Sequence, residues 1–141
     1  MKLSAALAFF ATLAFAQYAG PKTVYILPMS AGLDQYLAQW LTKDHVMQVV
    51  ADPKIAEVVM TDRLGEAFEQ KMKEILPEAD KKSTGEARNT FRTTKPRGTI
   101  FLVDAKSRQV LWSDYHKPPS SNSDSDLNRT AEQIAKKLSG K

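Results

Sequence analysis

The sequence predicts a single α/β domain of mixed α+β character: a mixed sheet of about five strands with three amphipathic helices packed on it. Three observations carry that expectation. Short β-branched and aromatic runs recur at Thr23–Leu27, Val46–Val50, Ala56–Thr61, Thr99–Val103 and Val110–Ser113. Between and after them lie three segments whose apolar residues repeat at helical spacing. At Asp52-Pro53 and over Pro118–Asp126 the chain shifts to turn-forming residues, which punctuate the elements.

The first element is Thr23-Val24-Tyr25-Ile26-Leu27, stopped by Pro28. Its unbroken apolarity predicts an interior strand covered on both faces. Ser30-Ala31-Gly32 makes a turn, and Leu33, Tyr36, Leu37, Trp40 and Leu41 then form one helical stripe. Val46 to Val50 is the second strand, closed by Asp52 as a cap and Pro53 as the opening of a brief helical turn. Ala56 to Thr61 is the third strand.

From Asp62 the pattern turns helical, with Leu64, Ala67, Phe68, Met72, Ile75 and Leu76 on one face, and Pro77 ends it. Residues 78–97 carry many charges, Ser, Thr and Asn around one large apolar residue, Phe91, and this composition predicts a mobile loop. Thr99 to Val103 is the strongest strand and should lie, with the first, in the interior of the sheet. It forms a hairpin with Val110 to Ser113 through a polar turn at Asp104–Gln109. Leu127, Ala131, Ile134, Ala135 and Leu138 make the last helix, with Asp126 as its expected N-cap and Gly140 beyond its end.

The chain starts with Lys2, an apolar run from Leu3 to Ala16 broken by Ser4 and Thr12, and the small-residue pattern Ala14-Phe15-Ala16. This is the form of a cleavable secretory signal peptide over residues 1–16. Fourteen helical residues span about 21 Å, short of the roughly 30 Å hydrocarbon core of a bilayer. Removal of 16 of the 141 residues leaves 125, from Gln17 to Lys141, one domain's length. No later run is long and apolar enough to span a membrane, so the exported chain, periplasmic or secreted, is not expected to be transmembrane.

Composition excludes several chemistries. The sequence has no cysteine, so neither disulfides, thiolate metal sites, a cysteine nucleophile nor a lipidated cysteine is available. A net charge of +4 from 20 basic and 16 acidic residues is too mild to point to nucleic acid. No Gly-x-Ser-x-Gly elbow and no glycine-rich phosphate loop follows a strand. Pro28-Met29-Ser30-Ala31-Gly32 supplies one glycine before a helix and is an ordinary turn. The basic residues of 78–97 are interleaved with Glu78, Asp80 and Glu86, as in a solvated loop.

Asp114 and His116 share one side of a strand, and with His45 would make three metal ligands; a solvated strand end accounts for them better. Asn128-Arg129-Thr130 has the form of a glycosylation triplet but falls in the first turn of a helix. No catalytic, cofactor-binding or metal residue is therefore assigned, and no cofactor is expected. Trp40 and Trp112 fit core packing. The aromatic and proline residues around the end of the hairpin, Trp112, Tyr115, His116 and Pro118, form the candidate protein-contact surface.

The segments Val24-Tyr25-Ile26-Leu27-Pro28, Ala56–Thr61, Phe101–Asp104 with Val110–Ser113, and Ala131–Leu138 resemble the amino-terminal domain of TolB-type periplasmic proteins. Similar α/β domains occur in curli-secretion-type and penicillin-binding-protein-activator lipoproteins. The likeness spans roughly Val24 to Leu138 and rests on short motifs. It implies a non-enzymatic adaptor that docks another cell-envelope protein, and it supplies no site residue. The sequence departs from that pattern in lacking a propeller, lacking a lipidated cysteine and carrying the basic stretch 78–97. Two other classes stand beside this reading: a small-molecule or metal-binding secreted domain, and a hydrolase with an unrecognised site.

Overall fold

A computed structural model describes residues 23–77, 98–118 and 121–140 of the chain. The signal peptide expected over 1–16 and the loop expected over 78–97 lie outside the described residues.

Five strands form one mixed sheet: β1 (Thr23–Ile26), β2 (Gln48–Val49), β3 (Val58–Thr61), β4 (Thr99–Asp104) and β5 (Val110–Tyr115), in the spatial order β2-β1-β3-β4-β5. β1 runs parallel to both β2 and β3, and β3, β4 and β5 are successively antiparallel. Three helices, α1 (Leu33–Lys43), α2 (Glu66–Ile75) and α3 (Asp124–Leu138), cover it. The expected α/β class, five-stranded mixed sheet and three packed helices are all present. No described helix is long and apolar enough to cross a membrane.

Strand alternation sorts the core into two layers. Val24, Val58, Met60, Ile100 and Leu102 face α1 and α3, where they meet Leu37, Leu41, Ala131, Ile134 and Ala135. Val59 and Val103 face the other way and meet Phe68 and Met72 of α2. β1 and β4 are interior strands, as their apolar runs require, but the middle place belongs to β3, buried at all four residues. Phe101 is only partly buried, at the margin of the α2 layer, and is not a central core residue.

Helix ends follow local chemistry, with corrections to the expected boundaries. Asp126 is not the cap of α3. Ser123 is: its backbone is extended (φ −68°, ψ 148°), its side chain accepts from Asp126 N–H, and Asp124 and Asp126 occupy the positive first turn. α2 starts at Glu66 and not at Asp62, because the Thr61 hydroxyl accepts from Arg63 N–H and donates to Arg63 C=O, turning the chain before the helix. The third strand starts at Val58, after a 3₁₀ turn at Pro53–Ile55 whose Asp52 carboxylate accepts from Lys54 N–H. The second strand shrinks from Val46–Val50 to two residues. Thr23 ties the β2–β3 connection to the start of β1, its hydroxyl donating to Ile55 C=O and accepting from Glu57 N–H.

α1 and α3 pack side by side and are joined by two aromatic donors. Tyr36 Oη donates to Asp124 Oδ1 at 2.8 Å, and Trp40 Nε1 donates to Asn128 Oδ1 at 2.8 Å. Trp40 is thus half-buried, with its ring on the α1–α3 core and its N–H satisfied across the helix pair.

Candidate functional site

The carboxyl ends of β1 and β3, the start of β4 and the end of β5 all lie at one end of the sheet. β1 leads to α1 on one face and β3 leads to α2 on the other. Two parallel neighbours whose connections depart to opposite faces leave a crevice between them, the place where open α/β sheets bind ligands.

Asp62 organises this end. It follows β3 directly, is buried, and its Oδ2 accepts from Ser30 N–H at 3.1 Å in the loop after β1. Its Oδ1 lies 3.3 Å from Arg63 Nε. In the facing loop Met29 N–H donates to Asp34 Oδ1 at 3.0 Å, and Ala31 and Gly32 take positive φ (57° and 76°) to turn the chain into α1. Two buried or helix-borne carboxylates thus satisfy the N–H groups that a loop after Pro28 leaves without ladder partners.

A depression opens on each side of Asp62. Toward α2 a cleft of about 360 Å³ has an apolar floor that includes Leu27 and Phe68 and a charged rim of Arg63, Lys71 and Glu74. Lys71 and Glu74 are already paired at 2.8 Å. Toward α3 a smaller pocket of about 140 Å³ is walled by Leu33, Ile100, Leu127 and Ile134, with Pro118 and Thr130 among its remaining lining residues. By volume alone, close to the roughly 150 Å³ that holds a benzene, it has room for a single branched aliphatic or small aromatic group, beside the buried Asp62 and His116 that also line it.

The four residues of the expected contact surface part company here. Pro118 is exposed and Tyr115 is 61% exposed. Trp112 is half-buried against the α1–α3 layer. His116 is not a surface residue: it is 8% exposed, because strand alternation turns it toward α3 as it turns Asp114. Its Nε2 lies 2.7 Å from Asp114 Oδ2 but off the axis of a hydrogen bond. Asp114 Oδ2 also accepts from Lys137 Nζ at 2.6 Å. Burial pushes the His116 imidazole below its ordinary range against the pull of the Asp114 charge, while the Lys137 hydrogen bond holds the Asp114 carboxyl low. The three side chains form a strut between β5 and α3.

His45 stands apart, exposed at positive φ (51°) in the turn after α1. Among the described residues no three His, Cys, Asp or Glu side chains converge as metal ligands. The stretch Ser30–Gly32, expected only as an ordinary turn, supplies the N–H that Asp62 holds. Asp62 is read from the sequence only as the start of the second helix, which begins instead at Glu66.

Comparison with known proteins finds no matching family, no curated relative and no matching solved structure. The geometry of the strand-end pocket therefore carries the functional reading.

Proposed function

We propose that the chain is an exported, non-enzymatic binding domain that docks another cell-envelope protein, seating one apolar side chain of that partner in the pocket beside Pro118. The supporting observation is the pocket itself: a mostly apolar well of about 140 Å³ at a strand end, with the buried Asp62 and His116 also lining it and Lys117, Pro118 and Asn122 at its rim. Such a well with a polar rim has the anatomy of an interface hot spot, where one buried anchor carries much of the affinity. The export signal over residues 1–16 and the likeness to TolB-type amino-terminal domains belong to the same proposal and agree with it.

Thr130 of α3 lines the pocket and keeps its hydroxyl on Asp126 C=O at 2.9 Å. Thr130→Trp would fill the well from the helix without altering any residue of the sheet. Affinity capture from an envelope extract should retain one protein on the wild-type chain and lose it on the Thr130→Trp chain, with unchanged circular dichroism. Equal capture by both would refute docking in this pocket.

A second reading, a small-molecule-binding secreted domain, draws on the position of the larger cleft at the crevice between β1 and β3. Its apolar floor and mixed-charge rim suit a small polar ligand with an apolar part. Arg63→Ala would weaken such a ligand and leave protein capture intact.

A further inference from the structure

The wall of the strand-end pocket constrains its occupant more than its size does. Leu33, Ile100, Leu127 and Ile134 give it apolar sides, and two polar side chains, Asp62 and His116, are buried in the same wall at 8% exposure each. Burial favours the neutral His116 imidazole, and its Nε2 turns toward Asp114. Asp62 is therefore the one buried charge among the residues that line the pocket.

The Asp62 carboxylate has unfilled acceptor positions. A carboxylate offers about four of them. Among the described residues two are used, by Ser30 N–H at 3.1 Å and by Arg63 Nε at 3.3 Å. Both contacts are longer than the roughly 2.7–2.9 Å of a close charge-assisted bond. An occupant with no donor would shut water away from this carboxylate and put nothing in its place, the penalty by which sites built around a hydroxyl reject analogues that lack it.

The donor that fits is neutral. Arg63 already stands beside the carboxylate and Lys117 stands at the rim, so a further cation is disfavoured there. The volume of about 140 Å³, close to the roughly 150 Å³ that holds a benzene, leaves little beyond one six-membered ring. Tyrosine combines one such ring with a neutral donor at its far tip, where a group in the wall of a well can be reached.

We propose that the anchor seated in this pocket is a tyrosine of the partner, its ring against Leu33, Ile100 and Ile134 and its hydroxyl donating to the Asp62 carboxylate. The inference rests on the docking reading above and adds the chemistry of the group that docks.

The probes are p-cresol and toluene, the tyrosine side chain with and without its hydroxyl. Titrations of the purified chain followed by amide NMR should show p-cresol binding at least about tenfold tighter than toluene, with shifts at Ile100 and Ile134. Asp62→Asn keeps an oxygen for Ser30 N–H but removes the charge, and should weaken p-cresol at least about threefold while leaving toluene within about twofold. Thr130→Trp should abolish binding of both. Toluene binding as tightly as p-cresol, no binding of p-cresol, or a p-cresol affinity indifferent to Asp62→Asn in a chain of unchanged circular dichroism would overturn the proposal. The comparison on the wild-type chain requires no variant to fold. Loss of partner capture on Thr130→Trp with no preference for p-cresol would keep the docking reading and overturn the tyrosine alone.

Discussion

Gly98 and His116 close the end of the sheet where the pocket lies: His116 N–H donates to Gly98 C=O at 2.7 Å, and a side chain on Gly98 would drive its Cβ into the His116 carbonyl oxygen. Gly98 also holds φ +87°, a conformation that side chains rarely adopt. Gly98→Ala should therefore destabilise the domain by at least about 1–3 kcal/mol, the cost of a strained backbone alone. A denaturant melt measures it. A change below about 0.5 kcal/mol would show that this end of the β4–β5 ladder is looser than described.

His116 should make stability depend on pH. Its folded imidazole titrates below the ordinary value of about 6.5, so the unfolded chain binds the proton more readily than the folded one. The contribution is fully present above about pH 6.5 and is lost as pH falls through the lower folded value. Asp114 follows with its own loss in the more acidic range below about pH 4, since its carboxyl is also held low. Thermal melts at pH 7.5 and 5.5 should differ for wild type, and His116→Gln should remove most of that difference. An unchanged difference in the variant would place its source elsewhere.

The α1–α3 junction should behave as a coupled pair. Trp40→Phe removes the 2.8 Å bond to Asn128 and leaves that amide oxygen without its partner, a loss of about 1 kcal/mol. Asn128→Ala should cost a similar amount. The double variant should cost clearly less than the two together, which a double-mutant cycle reads as coupling. Strict additivity would mean that the two side chains do not interact in solution.

Core depth predicts an order of losses. Met60→Ala empties a fully buried site on the central strand and should cost about 2–5 kcal/mol. Phe101→Ala, at the partly buried margin beside α2, should cost less than Met60→Ala despite the larger group removed. Paired denaturant melts decide the order. The reverse order would make β4 the hub of the α2 layer.

What the sequence disclosed of this fold was what periodicity records. Continuous apolar runs marked β1 and β4 as interior strands, and stripes such as Leu33, Leu37 and Leu41 marked the buried side of α1. Two of the misplaced helix starts share a cause: side-chain hydrogen bonds at element ends, Thr61 to Arg63 and Ser123 to Asp126, leave no periodic trace. His116 was misjudged for a related reason. It is polar and follows an exposed tyrosine, yet alternation past Asp114 carries it inward, and only the folded register shows α3 waiting there with Lys137. The pocket was illegible because its walls, Leu33, Ile100 and Ile134, come from three elements that meet only in space.

The strand-end pocket as a docking site is the central claim, and site-specific photocrosslinking in the producing cell tests it most directly. A photoreactive side chain would be placed at Asn122 or Lys117 on the pocket rim, and at Gln39 on the exposed side of α1 as a control. The account predicts one adduct of defined mass from the rim positions, lost when Thr130→Trp fills the pocket, and none from Gln39. Adducts from Gln39 with none from the rim, or rim adducts indifferent to Thr130→Trp, would contradict it.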